Sequence, residues 1–306
     1  MKRFVGVDGG GTKTEFALSF TDGAPIRTLS TTGCSYQSLG VEAAVQVVGE
    51  GVRELLALEG IAAVDCAGCC IGMPCYGENL EMDKILLAGL TKLLAPIPVY
   101  VVNDVEVGWA GSLECREGIH IVAGTGSIAF GRGRGGRSAR CGGWNEFYGD
   151  EGSCYWVGRQ AMGLFSKEAD GRAARGALYE IVRREFGLMS DFYFTDVVQE
   201  RWAPFRAKVA AFQIYAYQAA QAGDAAAAGL YSAAARELAL MAKTLRDSLP
   251  FSSDAIEVSY SGGLFKAGEL VLRPLRREVE AMGCTLKPPG RSAIEGALLL
   301  AIDHFG

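Results

Sequence analysis

The chain has 306 residues, 49% of them hydrophobic and 21% charged, which is the make-up of an ordinary folded protein and too long for one core, so two domains of about 150 residues with a cleft between them are expected. A sequence pI of about 5.3 argues against a nucleic-acid or anionic-membrane surface and points to small-molecule partners. Nine cysteines, an odd number scattered over the chain, fit free thiols in a reducing compartment better than a disulfide framework.

The N-terminal apolar run stops at Asp8, too short for a signal peptide, and no run reaches the roughly 18 apolar residues of a membrane span, so a cytoplasmic protein is expected. "RFVGVD" and "TEFALSF" predict two strands around the glycine turn Gly9 to Gly11, and apolar spacing predicts a helix over Val41 to Leu58. "AAVDCAGCCIGM" then reads as a strand, "LEMDKILLAGLTKLLA" as a helix and "IPVYVVND" as a strand. A hairpin followed by βαβ units implies a mixed sheet. Cys66-x-x-Cys69, with Cys70 and Cys75 nearby, has the spacing of metal ligands. No second such pair completes a set, and His120 and His304 lie far off, so these cysteines read as small hydrophobes of a buried strand.

"IHIVAGTGSIAFG" repeats the opening "VGVDGGGTKTEFAL", with Ala123 where the first copy has Asp8. "GRGRGGRSAR", Gly131 to Arg140, reads as a solvated hairpin loop rather than an RNA-binding tract. "VGRQAMGLFSKEAD", "GALYEIVRREFG" and Ala207 to Leu249 predict helices, the last broken near Gly223-Asp224. The strand "AIEVSYSGG" and the helix "SAIEGALLLAIDHF" close an α/β chain. The expected division is a first domain of residues 1–112 joined by the last helix at about 292–306, and a second of residues 113–291.

Glycines at 9, 10 and 11 let backbone N–H groups approach an anion, Thr12 and Thr14 add hydroxyl donors, and Lys13 can add charge unless strand alternation turns it away. Asp8 beside such a nest would repel phosphate unless a divalent cation intervened, which suggests Mg²⁺ held through water. Taken alone the turn is equally a tight hairpin, and it is neither a P-loop nor a Rossmann turn. Gly124, Thr125, Gly126 and Ser127 form a second small, hydroxyl-bearing turn suited to the β-phosphate side of the same nucleotide, and two such turns favour phosphate over a plain hairpin. Asn103-Asp104 ends a buried strand, at the edge where α/β sheets collect ligands. Asp104 there can take a proton from an attacking hydroxyl, or cap a helix starting at Val105. In "CGGWNEFYGDEGSCYW", Gly142 and Gly143 shape a loop, Trp144 can lie against a sugar-like face and Asp150 can accept hydrogen bonds from hydroxyls; the alternative is a turn in which Asp150 or Ser153 caps the next helix. Gly262 and Gly263 follow a strand, where a flat adenine could pass close to the backbone.

Taken in order, DGGGTKT, ND, AGTGS, GGW with GDEGS, and SGG resemble the acetate/sugar kinase, hsp70 and actin superfamily, and within it the family of N-acetylglucosamine kinases, glucosamine kinases and BadF/BadG-type activator ATPases. The resemblance runs from Asp8 to the closing helix. It implies two ribonuclease H-like, actin-like ATPase domains closing on ATP and substrate, and ATP-dependent phosphorylation of an amino sugar: N-acetylglucosamine, N-acetylmuramic acid or glucosamine. It implies that Asp8 to Thr14 hold the γ-phosphate and water-bound Mg²⁺, Gly124 to Ser127 the β-phosphate, and Gly262 and Gly263 border adenosine. Asp104 is then the base with Asn103 beside it, Gly143, Trp144 and Asp150 contact the sugar, and Cys154 sits near the N-acetyl pocket. Ile128 stands where vertebrate-type N-acetylglucosamine kinases have a sugar-touching asparagine, and Asn145-Glu146-Phe147 where relatives often have glycine. The activators of 2-hydroxyacyl-CoA dehydratases and benzoyl-CoA reductases, one alternative, keep a cluster-bridging cysteine before their second turn; this chain has Val122-Ala123. A nucleotide-binding regulator without chemistry is the other, and Asp104 and GDEGS speak against it. Expected partners are ATP and a small sugar, with no nucleic acid and no membrane; a homodimer is allowed.

Overall fold

A computed structural model describes residues 2–202 and 205–306, with the backbone alone at 201. The first strands and helices are β1 (Arg3–Gly9), β2 (Lys13–Ser19), β3 (Pro25–Thr32), α1 (Tyr36–Leu39), α2 (Val41–Leu58), β4 (Cys66–Met73), α3 (Leu80–Leu94), β5 (Val99–Asn103) and α4 (Asp104–Leu113). There follow β6 (Gly118–Ala123), β7 (Ser127–Arg132), β8 (Ser138–Gly142), α5 (Cys154–Ala169), α6 (Ala177–Glu185), α7 (Tyr193–Arg201), α8 (Arg206–Ala211), α9 (Gln213–Gln221), α10 (Ala225–Ser248), β9 (Ile256–Ser261), α11 (Glu269–Ala281), β10 (Cys284–Leu286) and α12 (Ala293–Phe305). Two compact units emerge, Met1–His120 with Pro288–Gly306, and Ile121–Lys287.

The strand orders are β3-β2-β1-β4-β5 and β10-β9-β6-β7-β8. Read from the hairpin side, the second is the first with every strand advanced by five places, so the repeat visible in the two glycine turns extends to whole sheets. In the first sheet β1 and β2 are antiparallel, with Gly9 opposite Thr14. β1, β4 and β5 run parallel, Asp8 beside Gly72 and Met73 beside Asn103. That register brings the carboxyl ends of three parallel strands to one edge.

Alternation along the strands decides which helices cover which face. Val5 and Val7 pair across the hairpin with Leu18 and Phe16, and these four pack with Val45, Val48, Val52 and Leu55 of α2 and Leu86 and Leu90 of α3. On the opposite face Ala17 packs with Ile294 and Leu298 of α12. A Cβ at Gly6 would lie 2.8 Å from the Leu298 backbone nitrogen, so the small residue is what lets that helix approach. Cys66, Cys69 and Cys70 are buried on β4 as the strand reading expects, and burial pushes their thiols up. Among the described residues no helix is long and apolar enough to cross a membrane.

Sequence patterning misses β3 and β10. β3 is a mostly exposed edge strand of Thr and Ser whose formation depends on the open edge of β2, from Lys13 opposite Thr32 to Leu18 opposite Arg27. The arginine-rich loop is shorter than expected, because Ser138, Ala139 and Arg140 join β8 opposite Arg132, Gly131 and Phe130 of β7.

The break near Gly223-Asp224 divides α9 from α10, and Asp224 does more than start the second helix. Its carboxylate accepts the N–H groups of Ala226, Ala227 and Leu178, each at 3.0 Å, and so ties α6 to α10. With two buried backbone donors and one part-buried donor left without their acceptor, Asp224→Ala is expected to destabilise the protein by about 2–4 kcal/mol. Chemical unfolding followed by circular dichroism checks this, and a loss below about 1 kcal/mol would contradict it.

Candidate active site

The first turn rises from the sheet because β1 ends at Gly9 and β2 begins at Lys13. The floor beneath it is tight. The Cys34 N–H donates to Gly10 O at 3.0 Å, and a Cβ at Gly9 would lie 2.6 Å from both Cys34 Sγ and Gly72 O. Above it Gly11 and Thr12 are exposed and a Cβ at Gly11 would meet no heavy atom within 4 Å, while Gly33 packs against the same turn so closely that a Cβ there would lie 2.3 Å from Gly11 O and 2.8 Å from Thr12 N. Thr14, expected on the phosphate side, is fully buried and donates through Oγ1 to Thr32 O at 2.8 Å. Its hydroxyl belongs to the sheet, because Thr14 points to the covered side of the pleat. Lys13 and Glu15, both on the other side, pair with each other along the strand.

Asp8 and Asp104 lie at the carboxyl ends of β1 and β5. The cap of α4 is Asn103, not Asp104: Asn103 Oδ1 accepts the Val105 N–H at 3.1 Å and Nδ2 donates to Tyr76 O at 2.7 Å. The asparagine amide is engaged at both ends, and Asp104 occupies the first turn of the helix without being its cap. Burial, then the negative charges of Asp104 and Glu15, push the Asp8 carboxyl up to about 7 against the smaller opposing influence of Lys13. Two hard oxygen acids that repel each other beside a glycine turn exposed at Gly11 and Thr12 fit a hydrated divalent cation, whose charge would cancel that repulsion.

The second turn is built in the same way. Gly124 N–H donates to Gly126 O at 2.9 Å, and the start of α5 docks beneath, with Cys154 N–H on Gly124 O at 2.9 Å and Tyr155 N–H on Thr125 O at 3.3 Å. Ser127 is buried; its N–H donates to Asp150 Oδ1 at 3.1 Å and its hydroxyl to Glu151 O at 2.7 Å. The two repeats therefore resolve alike. The hydroxyl residue near the start of the second strand, Thr14 or Ser127, is buried and holds a carbonyl, while the loop threonine, Thr12 or Thr125, stays exposed. Gly262, at φ 110°, packs against this turn so closely that a Cβ would lie 2.4 Å from Ala123 O. Next to it, Gly263 would carry its Cβ 3.8 Å from Cys154 Sγ. Cys154 is buried, which pushes its thiol up to about 11.

Ser153 caps α5 by accepting the Trp156 N–H at 3.1 Å, which leaves Asp150 to other work. Asp150, only 4% exposed and at φ 57°, holds the Ser127 N–H and an ion pair with the Arg206 guanidinium. Arg206 lies in no sequence motif; the one available signal is that an acid buried after a glycine turn needs a cation. Gly143 packs against Ile128, whose Cδ1 would be 2.8 Å from an added Cβ. Trp144, Phe147 and Tyr148 are exposed at 77%, 79% and 73%, which leaves three aromatic faces open on one short loop.

The chain is similar to the N-acetylmuramic acid/N-acetylglucosamine kinase of Clostridium acetobutylicum, 31% identical over 271 residues and 86% of each chain. It is similar also to the N-acetyl-D-glucosamine kinase of Dictyostelium discoideum, 28% identical over 235 residues and 72% of each. Among solved structures, a Chromobacterium violaceum protein assigned as an N-acetylglucosamine kinase superposes with a TM-score of 0.76 at 25% identity, covering 98% of this chain and 99% of that one. A ROK family glucokinase from Streptomyces griseus, 18% identical with a TM-score of 0.57 over 98% and 99% of the two chains, shares the fold. Residues 5–301 match the profile of the BadF/BadG/BcrA/BcrD ATPase family.

Proposed function

Since the chain belongs to the BadF/BadG/BcrA/BcrD ATPase family, we propose that it is an ATP-dependent kinase of an amino sugar, an N-acetylhexosamine such as N-acetylglucosamine or N-acetylmuramic acid. The observation that carries this reading is an open glycine turn standing beside two electrostatically coupled carboxylates, Asp8 and Asp104, at one edge of a sheet. Asp104 supplies the base that a kinase needs. The activator reading loses support because Val122 and Ala123, not a thiol, precede the second turn.

In the first unit, the amides of Gly9 to Gly11 with Thr12 hold γ-phosphate oxygens, and Asp104 accepts the proton of the sugar hydroxyl as the sugar O–P bond forms and the bond from the γ-phosphorus to the β–γ bridging oxygen breaks, ADP leaving. Asn103 fixes the start of α4 and with it the direction of Asp104. Asp8 would hold Mg²⁺ through water, and bound Mg²⁺ neutralises phosphate charge. In the second unit, Gly124 to Gly126 take the β-phosphate and Gly262 and Gly263 border adenosine. Trp144 covers a sugar face beside Gly143, Asp150 accepts hydrogen bonds from sugar hydroxyls, and Cys154 supplies a small, un-ionised wall. Thr14 and Ser127 keep the turns in shape through their buried hydroxyls, and Lys13 adds positive charge near the first. Positioning and charge neutralisation supply most of the acceleration. The enzyme works in the cytoplasm, where its free thiols stay reduced.

A coupled ADP-release assay with ATP and Mg²⁺ against glucose, glucosamine, N-acetylglucosamine, N-acetylmannosamine and N-acetylmuramic acid tests this. Turnover is expected with N-acetylated sugars and weaker with glucose. Silence across the panel, with ATP still bound, would sink the kinase and leave the regulator.

A further inference from the structure

Building on the amino-sugar kinase reading, we propose that Arg206 is the cation that recognises a carboxylate carried by the sugar, and that Glu146 keeps its place in the unliganded chain. The predicted substrate subclass is an N-acylated hexosamine with a carboxylate on an ether-linked substituent, the chemistry of N-acetylmuramic acid.

Arg206 opens α8, 56 residues along the chain from Asp150, yet its Nη2 group pairs with the Asp150 carboxylate. Nη2 also lies 2.5 Å from where a Cβ of Gly126 would be, so the guanidinium rests directly over the second turn. It is therefore beside the groups read above as holding phosphate and sugar. Asp150 is nearly fully buried and already takes the Ser127 N–H, so one edge of the guanidinium is committed to neutralising it.

Nε, on the same edge as Nη2, and Nη1 donate no hydrogen bond among the described residues. Arg206 Nε stands 3.6 Å from Glu146 Oε2, close enough for ionic attraction and too far for a hydrogen bond. Glu146 sits on the loop that exposes Trp144, Phe147 and Tyr148. The Arg206 side chain remains 41% exposed, and among the described residues no further acceptor engages it. A planar guanidinium binds a carboxylate best through paired short hydrogen bonds. A carboxylate on a ligand can reach that geometry where Glu146 does not, and the exchange of one carboxylate for another keeps the charge around Arg206 balanced. A neutral hexosamine leaves Glu146 in place. Arg206 and Glu146 together then set the preference between acidic and neutral sugars, while the link to Asp150 acts on both.

The test is calorimetric titration of N-acetylmuramic acid and N-acetylglucosamine into the wild type, Arg206→Gln, Arg206→Lys and Glu146→Gln, at one pH and ionic strength, with thermal unfolding showing that each variant is folded. The readout is the ratio of acidic-sugar to neutral-sugar affinity, which a general structural defect does not move. The ratio is expected to fall at least about tenfold in Arg206→Gln, to recover in part in Arg206→Lys, and to rise in Glu146→Gln, where the competing carboxylate is gone. An unchanged ratio in Arg206→Gln or Glu146→Gln, with both sugars still bound, overturns the inference and leaves the kinase standing. Binding of neither sugar by the wild type overturns both. Should Arg206→Gln fail to fold, Glu146→Gln decides alone: a raised ratio supports the inference and an unchanged one ends it.

Discussion

Asp104→Asn is expected to lower kcat for sugar phosphorylation by at least about a hundredfold while the sugar still binds, as removal of a general base does. The local structure makes this substitution clean. The helix cap is Asn103, whose amide is bonded to Val105 N–H and Tyr76 O, so α4 keeps its start when Asp104 loses its charge. An electrostatic signature should accompany the kinetic one. Asp104 is one of the charges that hold the Asp8 proton, after burial, and its neutralisation should move the Asp8 titration down from about 7. Steady-state kinetics, sugar titration and the pH dependence of MgATP affinity measure the three quantities. Near-normal kcat would remove Asp104 from the chemistry, and lost sugar binding would make it a binding residue.

Asp8→Asn should separate activity from stability. In the folded chain the Asp8 carboxyl is pushed from an ordinary 3.8 to about 7. A raised carboxyl means that the folded state holds the proton more tightly than the unfolded chain does. The Asp8 contribution to stability is therefore fully present below about 4 and is lost as pH rises toward 7, where the folded protein finally ionises a desolvated acid repelled by Asp104. Asparagine removes that penalty without emptying the space. The metal-free Asp8→Asn protein is thus expected to gain about 1–4 kcal/mol relative to wild type on going from pH 5 to pH 8. Kinase turnover should fall by about two orders of magnitude or more, because the phosphates lose the acid that would hold their hydrated cation. Chemical unfolding at the two pH values, with and without Mg²⁺, is the decisive comparison. A stability difference independent of pH would mean that Asp8 is not held protonated by its surroundings.

Much of the first half was legible because its signals are local. Phe4, Val5 and Val7 make a short apolar run, Val41 to Leu58 has helical spacing, and the glycine run punctuates the hairpin, so each element follows from nearby residues. β3 was not legible, since its Thr and Ser residues carry no apolar alternation and it exists because β2 offers an open edge. Among the candidate residues, the acids and glycines were visible as residue types. Their orientation was not. Thr14 and Thr12 look equivalent in DGGGTKT, yet one is buried on Thr32 O and the other exposed.

By itself the sequence determined an α/β chain with a repeated strand–glycine turn–strand unit, an acid in only one of the two copies, and a second acid at a strand end. These are properties of order and spacing, and they survive without knowing what touches what. Only the tertiary structure decided that Asn103 rather than Asp104 caps α4, that Ser153 rather than Asp150 caps α5, and that burial first, then the charge of Asp104, raises the Asp8 carboxyl. Only it brought Arg206 to Asp150 across 56 residues. The physical reason is common to all of these. Hydrogen-bond direction, desolvation and charge coupling depend on distance through space, and a chain encodes that distance in its packing rather than in its neighbours.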